Sequence, residues 1–188
     1  EGGHQCIDET FECKPTTVYG QSKFMAEQRL VSGCAGTSTH FVILRLSLVH
    51  GPQQPGNLAR MFEAVQAGRF PPIGARHNRR SMVHVADVVE AAIAVVLAPN
   101  CEDGTYIVAG PVAYSTAQLH DAMRAALGMA PVPWRIPGAA LVPLALVGDV
   151  LGRIARRRMP FDSSVLERLT GSAWYSAQRL SDDCGWFP

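Results

Sequence analysis

The ten residues from His40 to Val49 limit the folds open to this chain more than any other stretch. The run Phe41-Val42-Ile43-Leu44-Arg45-Leu46-Ser47-Leu48-Val49 is nearly continuous in apolar residues, and turn residues close it at Gly51-Pro52. A strand with one wet face alternates apolar and polar residues. A continuous run is instead the pattern of a strand covered on both faces, as in a parallel sheet. Upstream, residues 19–32 carry Phe24, Ala26 and Leu30 as an inward apolar stripe, with a stop signal at Ser32-Gly33. A helix feeding a doubly covered strand predicts an α/β layered fold. The 188 residues suffice for a real core.

The remaining elements follow the same alternation. Residues 1–16 are expected as a loop, and a helix over 57–67 should turn Leu58, Met61, Phe62 and Val65 inward. Residues 69–80 are irregular and basic. A short strand is expected over 82–85, with Asp87 capping a helix over 88–97. A strand over 105–109 and a helix over 116–127 capped by Ser115 come next. Residues 128–188 are punctuated by proline and glycine, with room for two or three short helices.

A formal charge of +1 gives no electrostatic reason to expect nucleic acid as a partner. The five cysteines are odd in number and form no Cys-x-x-Cys pair, which predicts reduced thiols in a cytoplasmic protein and no metal site. Glu1-Gly2-Gly3-His4 lacks the apolar segment of a signal peptide. The apolar stretch 139–151, interrupted by Pro143 and Asp149, is expected to be too short to span a bilayer. Arg153, Arg156, Arg157 and Arg158 follow it, the pattern of a packed helix with a solvated basic end.

Only two of the 17 basic residues are lysines, Lys14 and Lys23. Lys23 stands four residues after Tyr19, in Tyr19-Gly20-Gln21-Ser22-Lys23, so a helix presents both on one face one turn apart. A phenol beside an ammonium is suited to exchanging a proton, and a compact point charge serves there better than a planar guanidinium. Pro15-Thr16-Thr17 suits a loop entering the helix, and Gly20 and Ser22 keep the first turn slim. Taken alone, the two residues equally describe an exposed tyrosine and a solvated lysine.

Four stretches in order give the pair a context. Tyr19-Gly20-Gln21-Ser22-Lys23 looks like a catalytic Tyr-x-x-x-Lys. Leu44-Arg45-Leu46-Ser47-Leu48-Val49-His50-Gly51-Pro52 is similar to a Leu-Arg-Pro-x-x-Val-Tyr-Gly-Pro segment. Arg80-Ser81-Met82-Val83-His84-Val85-Ala86-Asp87 looks like Arg-x-x-x-His-Val-x-Asp, and Gly185-Trp186-Phe187-Pro188 like a common C-terminal signature. Together they resemble the extended short-chain dehydrogenase/reductase family, in its nucleotide-sugar epimerase/dehydratase branch. Within that branch the chain looks most like UDP-N-acetylhexosamine 4-epimerases and 4-reductases of bacterial surface-polysaccharide pathways. It departs at Leu46, where the family has proline, at His50, where it has tyrosine, and around Ser176, where the tail usually has aspartate.

The resemblance implies the C-terminal part of a Rossmann-type parallel sheet with a smaller α/β substrate-binding lobe. Residues 1–53 and 81–110 would complete the nucleotide-binding core, and 54–80 and 111–188 would form the lobe. Tyr19 would exchange a proton with a sugar hydroxyl or ketone. Lys23 would bind the nicotinamide ribose and favour proton release from the phenol. Leu46 and Leu48 would line the NAD or NADP site, Leu46 near the nicotinamide carboxamide, while Asn57 and Arg80 would contact the diphosphate of a UDP-linked sugar. His84 is expected as a core histidine, Asp87 as a helix cap and Arg79 as a solvated neighbour of Arg80. A homodimer and a cytoplasmic location are also implied.

The family's Gly-x-x-Gly-x-x-Gly fingerprint does not occur in the sequence. Its catalytic serine would fall before Glu1, so the chain is expected to be the C-terminal part of a longer protein. On its own it should then bind cofactor poorly, because the pyrophosphate has no glycine-rich helix start to rest on. Two other readings compete. A reductase of steroid or flavonol type would keep the fold without needing Asn57 and Arg80 for a diphosphate. A non-catalytic scaffold would have no use for Tyr19 and Lys23.

Overall fold

The computed structural model describes residues 5–52, 56–99, 101–157 and 161–188, so Arg158 and the extreme N-terminal residues lie outside it. Its chain divides into two compact units. One comprises residues 6–51, 81–111 and 175–188; the other comprises 1–5, 52–80 and 112–174. The tail 175–188 thus belongs with the strands of the first unit and not with the segment 112–174 that precedes it.

The first unit is α/β and its strands pair in parallel, as the apolar run requires. Helix α1 (Val18–Cys34) leads to β1 (Val42–Leu46) and β2 (Leu48–His50). β3 (Arg80–His84) runs into α3 (Val85–Leu97), and β4 (Gly104–Val108) and α7 (Gln178–Cys184) complete the unit. β1 pairs with β4 in register Val42↔Gly104, and β2 with β3 in register Leu48↔Met82. The single run expected over 40–49 is two strands because β1 takes β4 as its partner and β2 takes β3; the Ser47 N–H, donating to Val108 O at 2.9 Å, is the last rung of the β1–β4 ladder. β1 is half-buried rather than covered on both faces, since among the described residues β4 is its only strand neighbour.

The core of this unit is Val83, Ala91, Tyr106, Val108, Leu180 and Trp186. Gly185 ends α7 in the left-handed region at φ 66°, which turns the chain so that Trp186 enters the core with 4% exposure. That geometry is the physical basis of the closing Gly-Trp pair. The Cys184 thiol lies 3.0 Å from Cys101 Sγ, and burial followed by the Cys101 contact pushes its pKa up to about 12, so the Cys184 sulfur is a thiol at neutral pH. The N-terminal segment is anchored by a bridge between Ile7 and Tyr175 and by the Glu9 carboxylate, which accepts the Ile107 N–H at 2.7 Å.

Two local expectations are corrected here. Helix α1 buries no residue: Phe24 is half-buried, while Ala26 and Leu30 are exposed. Its firm attachment is polar, a bidentate Glu27–Arg45 pair at 3.1 and 2.6 Å, because among the described residues no apolar wall covers the Ala26–Leu30 stripe. Helix α3 begins at Val85, three residues before the expected start. Its N-cap is His84, whose Nδ1 accepts the Ala86 N–H at 3.2 Å, and Asp87 lies within the first turn. An imidazole nitrogen with a free lone pair does there what a carboxylate oxygen does at other helix starts.

The second unit contains α2 (Asn57–Gln66), a two-residue strand β5 (Ala113–Tyr114), α4 (Thr116–Ala126), α5 (Gly138–Ala155) and α6 (Ser163–Thr170). Ser115 caps α4 as expected, in a capping box with Gln118. In α2, Val65 is buried and Leu58 and Met61 half-buried, whereas Phe62 remains 37% exposed. Pro143 does not end α5; it falls in the second turn and removes one backbone bond. The apolar segment is therefore an 18-residue helix, longer than expected, and among the described residues it is the one helix long and apolar enough to cross a membrane by length and composition.

Candidate functional site

In the first unit the candidate groups lie on two elements, the first turns of α1 and the end of β1. Thr17 is the N-cap of α1, its Oγ1 accepting from Gly20 N at 3.1 Å. Tyr19 follows in the first turn and is 73% exposed, and its carbonyl accepts from the Ser22 hydroxyl at 2.8 Å. Lys23 lies one turn on, with Nζ 5.5 Å from the centre of the Tyr19 ring. Phenol and ammonium therefore share one solvent-facing patch. The first turn is less open than expected, because a side chain at Gly20 would meet Pro15 Cβ and Thr17 Oγ1, each at 3.1 Å. Gly20 admits the chain's own entering loop.

Leu46 closes β1 and Leu48 opens β2, and side chains two apart share a strand face. They are 46% and 37% exposed, at the carboxyl end of β1, where open parallel sheets take their ligands. Between them Ser47 is 8% exposed, and its hydroxyl has no hydrogen-bond partner among the described residues. Sequence reading missed Ser47, which was hidden inside an apolar run. β2 then ends at His50, whose ring meets His84 edge-on at 5.3 Å. Gly51 follows, where any side chain would strike Val85 Cγ1 at 2.6 Å.

In the second unit, Asn57 is exposed at the first position of α2, behind Gly56, which offers no side-chain cap. Arg80 is half-buried and its Nη2 donates to the Arg168 carbonyl in the last turn of α6. Arg79 is more than a solvated neighbour: its guanidinium stacks over Trp174 at 4.4 Å. Arg76, His77, Arg79 and Trp174 line a concavity of about 500 Å³. Trp174 is 95 residues from Arg79 in sequence, so no local signal linked them. A concavity of about 600 Å³ in the first unit, lined by His40, Phe41, Leu44, Cys101 and Asp103, includes none of the predicted residues.

Asn78 holds this basic loop in place. It is 4% exposed, and its amide nitrogen donates to Thr116 Oγ1 at 3.0 Å and reaches the carbonyls of Leu169 and Gly171 at 3.3 and 3.4 Å. Its amide oxygen accepts the Thr116 N–H at 3.2 Å. Asn78→Ala leaves buried donors and acceptors unpaired, so a loss of about 3 kcal/mol is expected in a denaturant titration. Retained stability would show that water replaces the amide.

Two histidines give the protein an acid-sensitive stability. Burial, then the neighbouring His84, holds the pKa of His50 below its ordinary value; burial does the same to His120, against the opposing pull of Asp121. His120 is 1% exposed and stacked on Phe70. A depressed histidine means that the unfolded chain binds more protons. The stabilisation is therefore complete above the unfolded value of about 6.5 and is lost as the pH falls from there through the folded values. Melting temperature should drop with acidification in this window, and His50→Asn/His120→Asn should flatten the drop. An unchanged slope in the double variant would assign the effect to other groups.

The first unit is a parallel α/β fold with a tyrosine and a lysine one turn apart at the start of a helix. The sequence matches the model of the NAD dependent epimerase/dehydratase family over residues 1–110, more than half of its length, and the chain belongs to that family. Among curated proteins it is 27% identical over 178 residues to a UDP-glucose 4-epimerase of Vibrio cholerae, covering 93% of this chain and 50% of that protein. It is 32% identical over 85 residues to an N-acetyl-alpha-D-glucosaminyl-diphospho-ditrans,octacis-undecaprenol 4-epimerase of Escherichia coli O157:H7, covering 44% of this chain and 26% of that protein. Among solved structures, a Thermus thermophilus UDP-glucose 4-epimerase in complex with NAD superposes with a TM-score of 0.65 at 24% identity, covering 98% of this chain and 53% of that one. The family is NAD-dependent, and the chain spans about half the length of the curated relatives it matches most fully.

Proposed function

We propose that this chain is the C-terminal half of a nucleotide-sugar 4-epimerase, and that Tyr19 and Lys23 are its proton-transfer and cofactor-ribose groups. The observation that carries the reading is the exposed Tyr19–Lys23 patch at the start of α1 in a member of an epimerase family. The residues present suit one end of NAD. A phenol and an ammonium match ribose hydroxyls in hydrogen-bonding type, and Leu46 and Leu48 offer an apolar surface at the strand end, while no glycine-rich pyrophosphate loop occurs in the sequence. When bound, NAD or NADP supplies the hydride acceptor and donor. Residues 1–53 and 81–110 would complete that cofactor core, and 54–80 with 111–188 would form the substrate lobe.

The chain's own part is the proton. Tyr19 Oη takes the proton of the sugar C4 hydroxyl as the ketone forms and returns it when the hydroxyl is restored. The fixed charge of Lys23 one turn away stabilises the phenolate between those events. In the second unit, Arg80 and the first backbone N–H groups of α2 at Asn57 are of the kind that bind the diphosphate of a UDP-sugar. Net C4 reduction uses the same Tyr19 and Lys23 and differs only in the fate of the ketone.

A lipid-diphosphate-linked sugar is a second reading of the substrate. The name of the Escherichia coli relative and the exposed apolar wall of α5 favour it. The complete protein is proposed to be a cytoplasmic homodimer. Lys23→Met in that protein should lower turnover of a UDP-sugar by about a hundredfold or more with the fold intact by circular dichroism. Unchanged turnover would reject the assignment.

A further inference from the structure

We infer that α5 is a docking surface for an anionic lipid bilayer, lying along the interface rather than crossing it. The helix is apolar but for Asp149 and Arg153, and only 17% of it is buried. Its buried stripe, Leu141, Ala145 and Gly148, faces the segment that leads into α6; Gly148 approaches the Phe161 carbonyl so closely that no Cβ would fit. The opposite side carries Leu144, Leu146, Val147, Val150 and Ile154, which are 53–75% exposed. At 100° per residue these five span an arc of about 160°. A core helix would have that arc covered, and a solvated helix would have it polar.

The charges around the wall select the occupant. Asp149 is the only acidic residue of the helix, and it is engaged by Ser163, accepting from its N–H at 3.1 Å and from its hydroxyl at 2.5 Å. Arg153 lies on the Leu146 edge of the arc, two turns further toward the C-terminus, and Arg156 and Arg157 follow, all exposed. Among the described residues none of the three is in an ion pair. An apolar wall ending in unpaired arginines complements acyl chains beneath anionic headgroups. A second copy of the same face would bring arginine to arginine and no carboxylate, since the first turn of α5 has no acidic residue. Trp134, 58% exposed just before the helix, is of the type that settles at the headgroup level. The contact with the α6 segment, together with Asp149, keeps one side of α5 out of the hydrocarbon, which is why it lies on the membrane.

The test is co-sedimentation of the complete protein with vesicles of phosphatidylglycerol and phosphatidylcholine in equal parts, beside vesicles of phosphatidylcholine alone. Binding to the anionic vesicles that weakens with salt is expected. Arg153→Gln/Arg156→Gln/Arg157→Gln should lower the partition coefficient by about a hundredfold, from roughly fivefold for each of the three charges removed near such a surface. Val150→Asp/Ile154→Asp should abolish binding while circular dichroism and turnover of a water-soluble UDP-sugar stay as in the parent. No binding of the parent protein, or binding that both variants retain, would overturn the inference. So would a dimer that Val150→Asp/Ile154→Asp dissociates without loss of vesicle binding. Turnover of the UDP-sugar is read separately, so failure here leaves the C4 chemistry standing and the converse also holds.

Discussion

Tyr19→Phe in the complete protein is expected to reduce turnover of a UDP-sugar by about a thousandfold, within the 10²–10⁴ range of a lost general acid–base group. The substitution removes one oxygen from a side chain that is 73% exposed, so it creates no cavity and breaks no contact that holds α1 in place. Thr17 still caps the helix, and Glu27 still binds Arg45. Stability should therefore be unchanged, and KM should move far less than kcat because the phenol acts on the reacting hydroxyl. A fall in KM-limited binding with kcat preserved would make Tyr19 a binding residue only. Steady-state kinetics with a melting curve on the same sample separates the two.

A stability effect as large as that of Asn78→Ala is expected at Gly148. A Cβ built there would lie 1.9 Å from the Phe161 carbonyl oxygen and 3.0 Å from its carbon, both backbone atoms. Backbone cannot rotate away as a side-chain tip can, so Gly148→Ala must push α5 from the segment that enters α6. Alanine regains about 1 kcal/mol of helix propensity, but overpacking against a fixed neighbour costs more, and a net loss of about 3 kcal/mol is expected. Urea titration of the variant measures it. A variant as stable as the parent would mean that the contact relaxes freely.

The parallel α/β character was legible because it depends on local runs: the apolar stretch 40–49, the capped helix behind Ser115 and the closing Gly185-Trp186 are short-range signals. The departures came from long-range partners. β1 pairs with β4 and β2 with β3, and this change of partner makes two strands of one run. Helix α1 shows a helical stripe at Phe24, Ala26 and Leu30, yet periodicity records which face could be buried and not whether a wall exists to bury it. His84 as N-cap was missed because imidazole is an uncommon cap, and the nearby Asp87 fits the usual preference.

The candidate site divides in the same way. The Tyr19–Lys23 pair is visible because helical spacing alone brings it together. Asn78 and the stacking of Arg79 on Trp174 are not. Asn78 joins α4 and the end of α6, and Trp174 reaches Arg79 from far along the chain. A polar residue in an irregular basic loop gives no sign that it is buried and fully bonded.

The central claim is hydride and proton exchange at sugar C4 by the complete protein, and deuterium placed at that carbon tests it most directly. UDP-glucose and UDP-N-acetylglucosamine carrying deuterium at C4 are incubated with the enzyme and the products followed by NMR. The account predicts inversion at C4 of at least one of the two sugars, with the deuterium retained at that carbon and the conversion lost in Tyr19→Phe. Full recovery of both sugars unchanged, or loss of the deuterium to solvent, would contradict it.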